Sequence, residues 1–287
     1  MIPFNRKKFI NFKSGLYVVS TPIGNLMDIT LNALEILNLS DLILCEDTRV
    51  SKKILEKHNI KNKELLAYHK FNEKKTSDKV IKLIQKEKIV SIISDAGTPC
   101  ISDPGSILIN ECVNKKLNIY SIPGPSSVIS AVSISGFSDK FIFYGFFPEK
   151  TKDIKKDLDA LSKLNLTIVF FISAKKFKKN ASYLEKYFSN RKILICKELT
   201  KMFEQHFRFD VSKIKEFNAE LRGEITLVLS EKIENESKNR LLDQDKIIIK
   251  KLMKKLSIKD IVNEIKKNKD IPKKEIYNYC IQIKNEN

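Results

Sequence analysis

Ile89-Val-Ser-Ile-Ile-Ser-Asp-Ala-Gly-Thr-Pro-Cys-Ile-Ser-Asp-Pro-Gly105 is the stretch on which the fold class turns. Four of its first five residues are β-branched and apolar, with no alternation of polar positions, which marks a strand buried on both faces. From Asp95 onward two glycines and two prolines end the strand in a long turn-rich loop. Upstream, Val80, Leu83 and Ile84 recur at helical spacing between Lys79 and Glu87; downstream, Leu117 to Ile122 reads as another strand. The same alternation runs back to the N-terminal side. Leu16 to Ser20 and Leu42 to Cys45 read as strands. Leu31, Leu34, Ile36, Leu37 and Leu39 follow helical spacing, and Ser51 to His58 forms a helix with Ile54 and Leu55 on one face. Apolar strands alternating with helices predict a parallel sheet covered on both faces.

Around Ser138 a second strand–helix series begins. Phe141 to Phe146, Leu166 to Ile172, Lys192 to Cys196 and Glu224 to Ser230 read as strands, with helices over Lys152 to Lys163 and Lys175 to Tyr187. Glu231 to Asn239 is polar and charged, a linker composition. Beyond it Ile247, Leu252, Leu256, Ile261, Ile265, Ile276, Tyr279 and Ile283 fall at helical spacing, with Pro272 placed to open the last helix. The expected organisation is therefore an α/β domain over 1–137, a second α/β domain over 138–232, and a small helical appendage over 233–287.

The chain has only eight glycines, so their positions carry information. Gly24, Gly97, Gly105 and Gly124 all lie in loops after strands of the first series. Ligands of open parallel sheets bind outside the carboxyl ends of the strands. Three loops thus form a candidate floor: Thr21-Pro-Ile-Gly-Asn25, Asp95 to Gly105, and Pro123-Gly-Pro-Ser-Ser127. Turn punctuation alone is the competing explanation. No G-x-G pair, no G-x-x-x-x-G-K loop and no G-x-S-x-G elbow occurs. A nucleoside without phosphates suits that absence.

Bulk properties narrow the field further. Net charge is +18, which suits an anionic partner such as nucleic acid. Only six of the 53 basic residues are arginine, so a general lysine-rich composition is the rival reading. Residues 231–287 carry 15 basic and 10 acidic side chains, net +5, among them Lys250, Lys251, Lys254, Lys255, Lys266, Lys267, Lys269, Lys273 and Lys274. Five scattered cysteines without a CxxC pair read as reduced thiols, and three isolated histidines give no metal site. No apolar run approaches the ~20 residues of a membrane span. The start, Met1 to Phe9, lacks a secretory pattern. The chain reads as cytoplasmic, with no membrane partner.

Leu16-Tyr-Val-Val-Ser-Thr-Pro-Ile-Gly-Asn-Leu26, Glu46-Asp-Thr-Arg49 and Ser94 to Gly105 resemble the tetrapyrrole-methylase (class III) methyltransferases. Within that family they are similar to the bacterial branch that methylates a cytidine 2′-hydroxyl of 16S ribosomal RNA. The similarity continues through Ile122 to Ser127, Phe143 to Pro148, Lys197 to Lys201 and Gly223 to Leu227. It departs at Phe171-Ile-Ser-Ala-Lys-Lys176, where the family usually has a Tyr-Glu-Ser-x-His-Arg-like sequence, so no role for that acid carries over.

The resemblance implies two α/β domains with S-adenosyl-L-methionine in the cleft between them, a homodimer, and RNA received by the basic tail and cleft rim. It implies that Pro22, Gly24, Asp95, Ala96, Gly97 and Thr98 hold the cofactor, with Ile101 on its adenine side. Ser126, Ser127 and Ala131 line the same pocket, and Ile172 with Leu199 closes it. Glu46, Asp47 and Arg49 follow the second strand; Asp47 is the candidate base or orienter and Arg49 a charge partner, a capped helix start being the competing reading. His69, with Tyr68 or Phe71 stacking on a base, is a candidate RNA contact. The closest alternative keeps fold and cofactor but methylates a tetrapyrrole. A different class of answer is a non-catalytic RNA-binding assembly factor.

Overall fold

The structure is a computed structural model that describes residues 12–233, 241, 243–268 and 271–286. The basic start Met1 to Phe9, most of the polar linker (234–239), Lys269 and Asp270 lie outside the described residues. The chain forms two compact units, 1–232 and 233–287.

The first unit opens with β1 (Gly15–Val19), α1 (Leu31–Leu39), β2 (Leu42–Cys45), α2 (Thr48–Lys57), β3 (Leu65–Ala67), α3 (Glu73–Gln85), β4 (Ile89–Ile93), α4 (Ser106–Asn114), β5 (Ile119–Ile122) and α5 (Ser127–Ser133). The five strands pair in the order β3-β2-β4-β1-β5, all parallel. Alternation along the strands sends Tyr17, Val19, Ile43, Cys45 and Ile93 to one face, against α1 and α2 through Ile36, Leu37 and Leu55. Leu16, Leu42, Leu44, Val90 and Ile92 face the other way, against α3 and α4 through Val80, Ile84, Leu108 and Cys112. The two helix pairs on opposite faces match the reversal in strand order, because parallel crossovers are right-handed.

The sheet continues the sequence expectation with one addition. β3 is only Leu65-Leu-Ala67, too short for any periodicity; its pairing with β2 (Ile43 opposite Leu65) makes it a strand.

The second series is β6 (Phe141–Phe146), α6 (Thr151–Lys163), β7 (Thr167–Ser173), α7 (Ala174–Phe188), β8 (Lys192–Lys197), β9 (Gln205–Asp210) and β10 (Glu224–Leu229). The order is β6-β7-β10-β8-β9, and only β6–β7 is parallel. β9 was not expected: Gln205-His-Phe-Arg-Phe-Asp210 is polar at alternate positions, and only Phe207 and Phe209 pack on the core. One face of this sheet buries α6 and α7 through Leu158, Phe177, Leu184 and Phe188. Its other face takes α5, whose Val128 and Ala131 pack with Val169, Leu194, Cys196 and Val228. Helix α5 therefore ties the two sheets together.

Arg191, immediately before β8, is fully buried. Its guanidinium donates to the carbonyls of Leu166 (2.7 Å), Ser230 (2.6 Å), Leu164 and Ser162. One side chain thereby satisfies carbonyls of two segments, the 162–166 connection from α6 into β7 and the residue that follows β10.

The second unit holds α8 (Asp243–Leu252), α9 (Ile258–Asn268) and α10 (Lys273–Glu286) around Ile249, Ile261, Ile265, Ile276, Cys280 and Ile283. Ile247 and Leu256, expected on its apolar stripe, are exposed instead, and Ile249 takes the inward position. Among the described residues no helix is long and apolar enough to cross a membrane.

Candidate active site

Because β1, β2, β4 and β5 run parallel, their following loops all leave from one edge of the first sheet, the edge at which such sheets bind ligands. Between that edge and the second sheet lies a cavity of about 960 Å³. Its size falls within the usual range for small-molecule sites.

The loops are bonded to one another. Thr21 and Gly97 exchange backbone hydrogen bonds of 2.8 and 3.1 Å. The Thr21 hydroxyl donates to the Ser94 carbonyl at 3.1 Å. Thr98 Oγ1 is 2.9 Å from Ser20 Oγ and donates to the Pro125 carbonyl at 3.3 Å. The loops after β1, β4 and β5 are thus tied directly to one another.

The Asp95 to Gly105 loop is held in an unusual course. Cys100 and Ser102 both adopt positive φ, at 68° and 67°, a conformation that costs of order 1 kcal/mol or more at non-glycine residues. Its far end is anchored by Glu73, a buried carboxylate whose Oε1 accepts from the Gly105 amide (2.8 Å) and from the Tyr68 hydroxyl (3.3 Å). Gly105 sits at φ 139°, and a Cβ there would overlap Cys100 Sγ. Tyr68, also bonded to Ser77 at 3.1 Å, is a buried brace, which withdraws it as an RNA-stacking candidate.

Three carboxylates from neighbouring strand ends line the cavity: Glu46, Asp95 and Asp103. Burial raises all three. Asp103 goes furthest, to about 6: burial is the main cause, the Glu46 and Asp95 charges add to it, and a hydrogen bond from Ser94 opposes it. Lys70, which also lines the cavity, draws Glu46 and Asp103 back down. Among the described residues no set of His, Cys, Asp and Glu side chains converges as a metal site.

Asp47 and Arg49, expected at the reacting centre, are not part of the cavity wall. Asp47 caps α2, its Oδ1 accepting the Arg49 amide at 2.8 Å, and its carboxylate takes the Arg49 guanidinium at 2.6 Å. Those hydrogen bonds hold its pKa down at about 2, so it is a weak proton acceptor. Its amide donates to Asp95 Oδ1 at 3.1 Å, which fixes that carboxylate in place.

The other expected residues divide as follows. Glu46, Asp95, Ala96, Gly97, Thr98, Ile101, Ser126, Ser127, Ile172 and Leu199 all line the cavity. Pro22 and Gly24, the chain neighbours of Ile23, which does, are not part of the wall, and Ala131 is buried on α5 against the second sheet. Ser126 and Ser173 cap α5 and α7 from the cavity wall. Asp103, Lys70, Phe143, Phe146 and Phe171 line the cavity as well, without having been candidates by sequence. Asp103 stands within a loop that was singled out, but its burial beside two other carboxylates is visible only in three dimensions.

Gly24 shows why the cavity has its width. A Cβ on it would stand 2.6 Å from Lys201 Cγ, 2.7 Å from Thr200 Oγ1 and 2.8 Å from the Leu199 carbonyl. Next to it the Asn25 amide donates to Thr200 Oγ1 at 3.0 Å. The 198–201 loop is itself tightly wound, with Glu198 and Thr200 at φ 54° and 62°. Gly24→Ala is expected to push this loop away and lower ligand affinity about tenfold, or about 1.4 kcal/mol. Calorimetric titration checks it; unchanged affinity would show that the two loops are not coupled.

Residues 15–215 match the family model of tetrapyrrole (corrin/porphyrin) methylases. The chain is 42% identical over 270 residues to the ribosomal RNA small subunit methyltransferase I of Rickettsia prowazekii, covering 92% of this chain and 95% of that protein. It is 43% identical over 220 residues to the protein of the same name from Thermotoga maritima, covering 76% and 98%. Among solved structures, the uroporphyrin-III C-methyl transferase of Thermus thermophilus, complexed with S-adenyl homocysteine, superposes with a TM-score of 0.55. That match covers 76% of this chain and 97% of the other, at 15% identity, a likeness of fold.

Proposed function

Because this chain belongs to the tetrapyrrole methylase family, we propose that it transfers a methyl group from S-adenosyl-L-methionine to a cytidine 2′-oxygen of 16S ribosomal RNA. The observation that carries the reading is near-full-length identity of 42% to a relative named for small-subunit ribosomal RNA methylation. The cavity supports it.

The wall fits a cationic nucleoside. Ile101, Ile129 and Phe146 are more than half exposed although large and apolar, and all three face the cavity, offering a nonpolar seat for a base. Glu46, Asp95 and Asp103 place carboxylates in the same space, favourable to a sulfonium. Bound there, S-adenosyl-L-methionine supplies an electrophilic methyl group.

The chain's own residues supply position and a proton acceptor. Asp95 to Thr98 and Ile101 hold the nucleoside from the first sheet, and Ile172 and Leu199 face it from the second. Ser126 and Ser127 complete the floor; Pro22, Gly24 and Ala131 act from outside the wall, setting the loop spacing and the α5 seat. A ribose hydroxyl is a poor nucleophile at neutral pH, and a positioned base contributes about 10²–10⁴-fold. Asp103 is that base. Its raised pKa makes it a stronger acceptor than Asp47, and at neutral pH it is still largely ionised. Glu46 keeps Asp103 basic through its charge. Asp47 and Arg49 act indirectly, by fixing the Asp95 carboxylate.

Labelled methyl transfer to undermethylated small ribosomal subunits, followed by nucleotide mapping, tests the assignment. The expected product is one 2′-O-methylcytidine in 16S RNA; a base-methylated product or a labelled tetrapyrrole would overturn it. The same reading has the helical unit, with the net +5 of residues 231–287, sharing in RNA binding, and the chain working as a homodimer. RNA affinity indifferent to ionic strength would remove the first point, and a monomer in light scattering the second.

A further inference from the structure

Phe71 is 98% exposed, more than any other large apolar side chain of the described residues. A single exposed apolar residue is common on protein surfaces. This one differs in how it is held. The turn from Tyr68 to Asn72, leaving the carboxyl end of β3, is braced at several points. The Asn72 side chain donates to the Ala67 carbonyl at 2.8 Å and accepts the His69 amide at 2.9 Å. The Asn72 and Glu73 amides both donate to the His69 carbonyl, at 2.9 and 3.0 Å. The Tyr68 amide donates to the Cys45 carbonyl at 2.8 Å, and its ring is buried. A rigid turn therefore carries an aromatic ring into solvent, with only the His69 ring edge-on at 6.0 Å.

The residues that flank it in sequence are cationic. Lys70 lines the cavity and acts on Glu46 and Asp103 within it. Lys74 and Lys75, exposed, begin the helix that follows. A single exposed ring on a lysine-flanked turn makes a poor seat for an apolar protein surface. It is well made for a nucleotide, whose base stacks on the ring while its phosphates meet the cations.

Resting on the reading of the cavity as a site for RNA methylation, we infer that Phe71 is the stacking platform for an unpaired base of the RNA substrate. Lys70 receives the phosphate that leads from that base into the cavity. The platform fixes which nucleotide's ribose arrives at the carboxylates, so it governs substrate binding rather than the transfer step.

The chain contains no tryptophan, so Phe71→Trp creates a single indole probe at this point. Titration with a short cytidine-containing single-stranded oligoribonucleotide is expected to quench the indole saturably. Phe71→Ala is expected to raise KM for undermethylated small subunits roughly tenfold to a hundredfold, with kcat at saturation nearly unchanged and Phe71→Trp restoring KM. An indole unmoved at RNA concentrations where anisotropy records binding would overturn the platform, as would an unaltered KM for Phe71→Ala. The two readings separate cleanly. Active wild-type protein with an unquenched indole faults only the platform, whereas a quenched indole in a protein that methylates no RNA supports the platform and faults the reaction.

Discussion

Asp103→Asn is expected to lower kcat/KM for RNA methylation by about 10²–10³-fold while leaving cofactor affinity within a few-fold, because the amide keeps the shape and loses the proton acceptor. The pH profile identifies the cause. In the wild type kcat/KM should fall on the acid side around the Asp103 pKa of about 6, and in the variant that limb should vanish. Stability supplies an independent readout. The folded protein binds this proton more tightly than the unfolded chain does, whose carboxyl titrates near 3.9. Asp103 therefore favours the folded state at low pH, and that contribution is lost as pH rises from about 4 through about 6. The asparagine variant should accordingly melt higher than the wild type at pH 8 and lose that advantage at pH 4. A variant with full activity, or one whose acid limb persists unchanged, would take the proton transfer away from Asp103.

Arg191→Met is expected to destabilise the protein by about 3–5 kcal/mol, through buried carbonyls left without a donor. For a unit of this size that is a fall in melting temperature of roughly 10 °C. The carbonyls of Leu164 and Leu166 lie in the α6–β7 connection and that of Ser230 follows β10, and no other side chain among the described residues donates to them. Arg191 lies at the opposite end of β8 from Cys196, which lines the cavity. Below the transition the variant should thus keep its kcat. A melting point within about 2 °C of the wild type would mean that water replaces the guanidinium at little cost.

The contrast between these two residues bears on what could be read beforehand. Asp103 stands inside the glycine- and proline-rich loop after β4, and Arg191 is by sequence merely one of six arginines. Neither could be assigned a task from sequence, because burial, not residue type, gives each its role. Asp47 is the reverse case. Its position after β2 makes it a candidate by sequence, yet a neighbour two residues along claims its carboxylate. Glu46, one residue earlier, faces the cavity instead. Tyr68 and Phe71 likewise were equal candidates until the turn buried one and extended the other.

Local pattern was sufficient for the α/β class, for most strands, and for the three loops that floor the cavity. Those features depend on interactions between residues close in sequence: apolar runs, helical spacing, and glycine and proline turns. Strand order, the short β3, the alternating-polar β9, and the antiparallel pairing of the second sheet depended on partners far along the chain. So did the carboxylate cluster, since Glu46, Asp95 and Asp103 meet only because β2 and β4 are neighbours in the sheet. Acidity is set by what surrounds a carboxyl group and by how much water reaches it. Only the tertiary structure decides either.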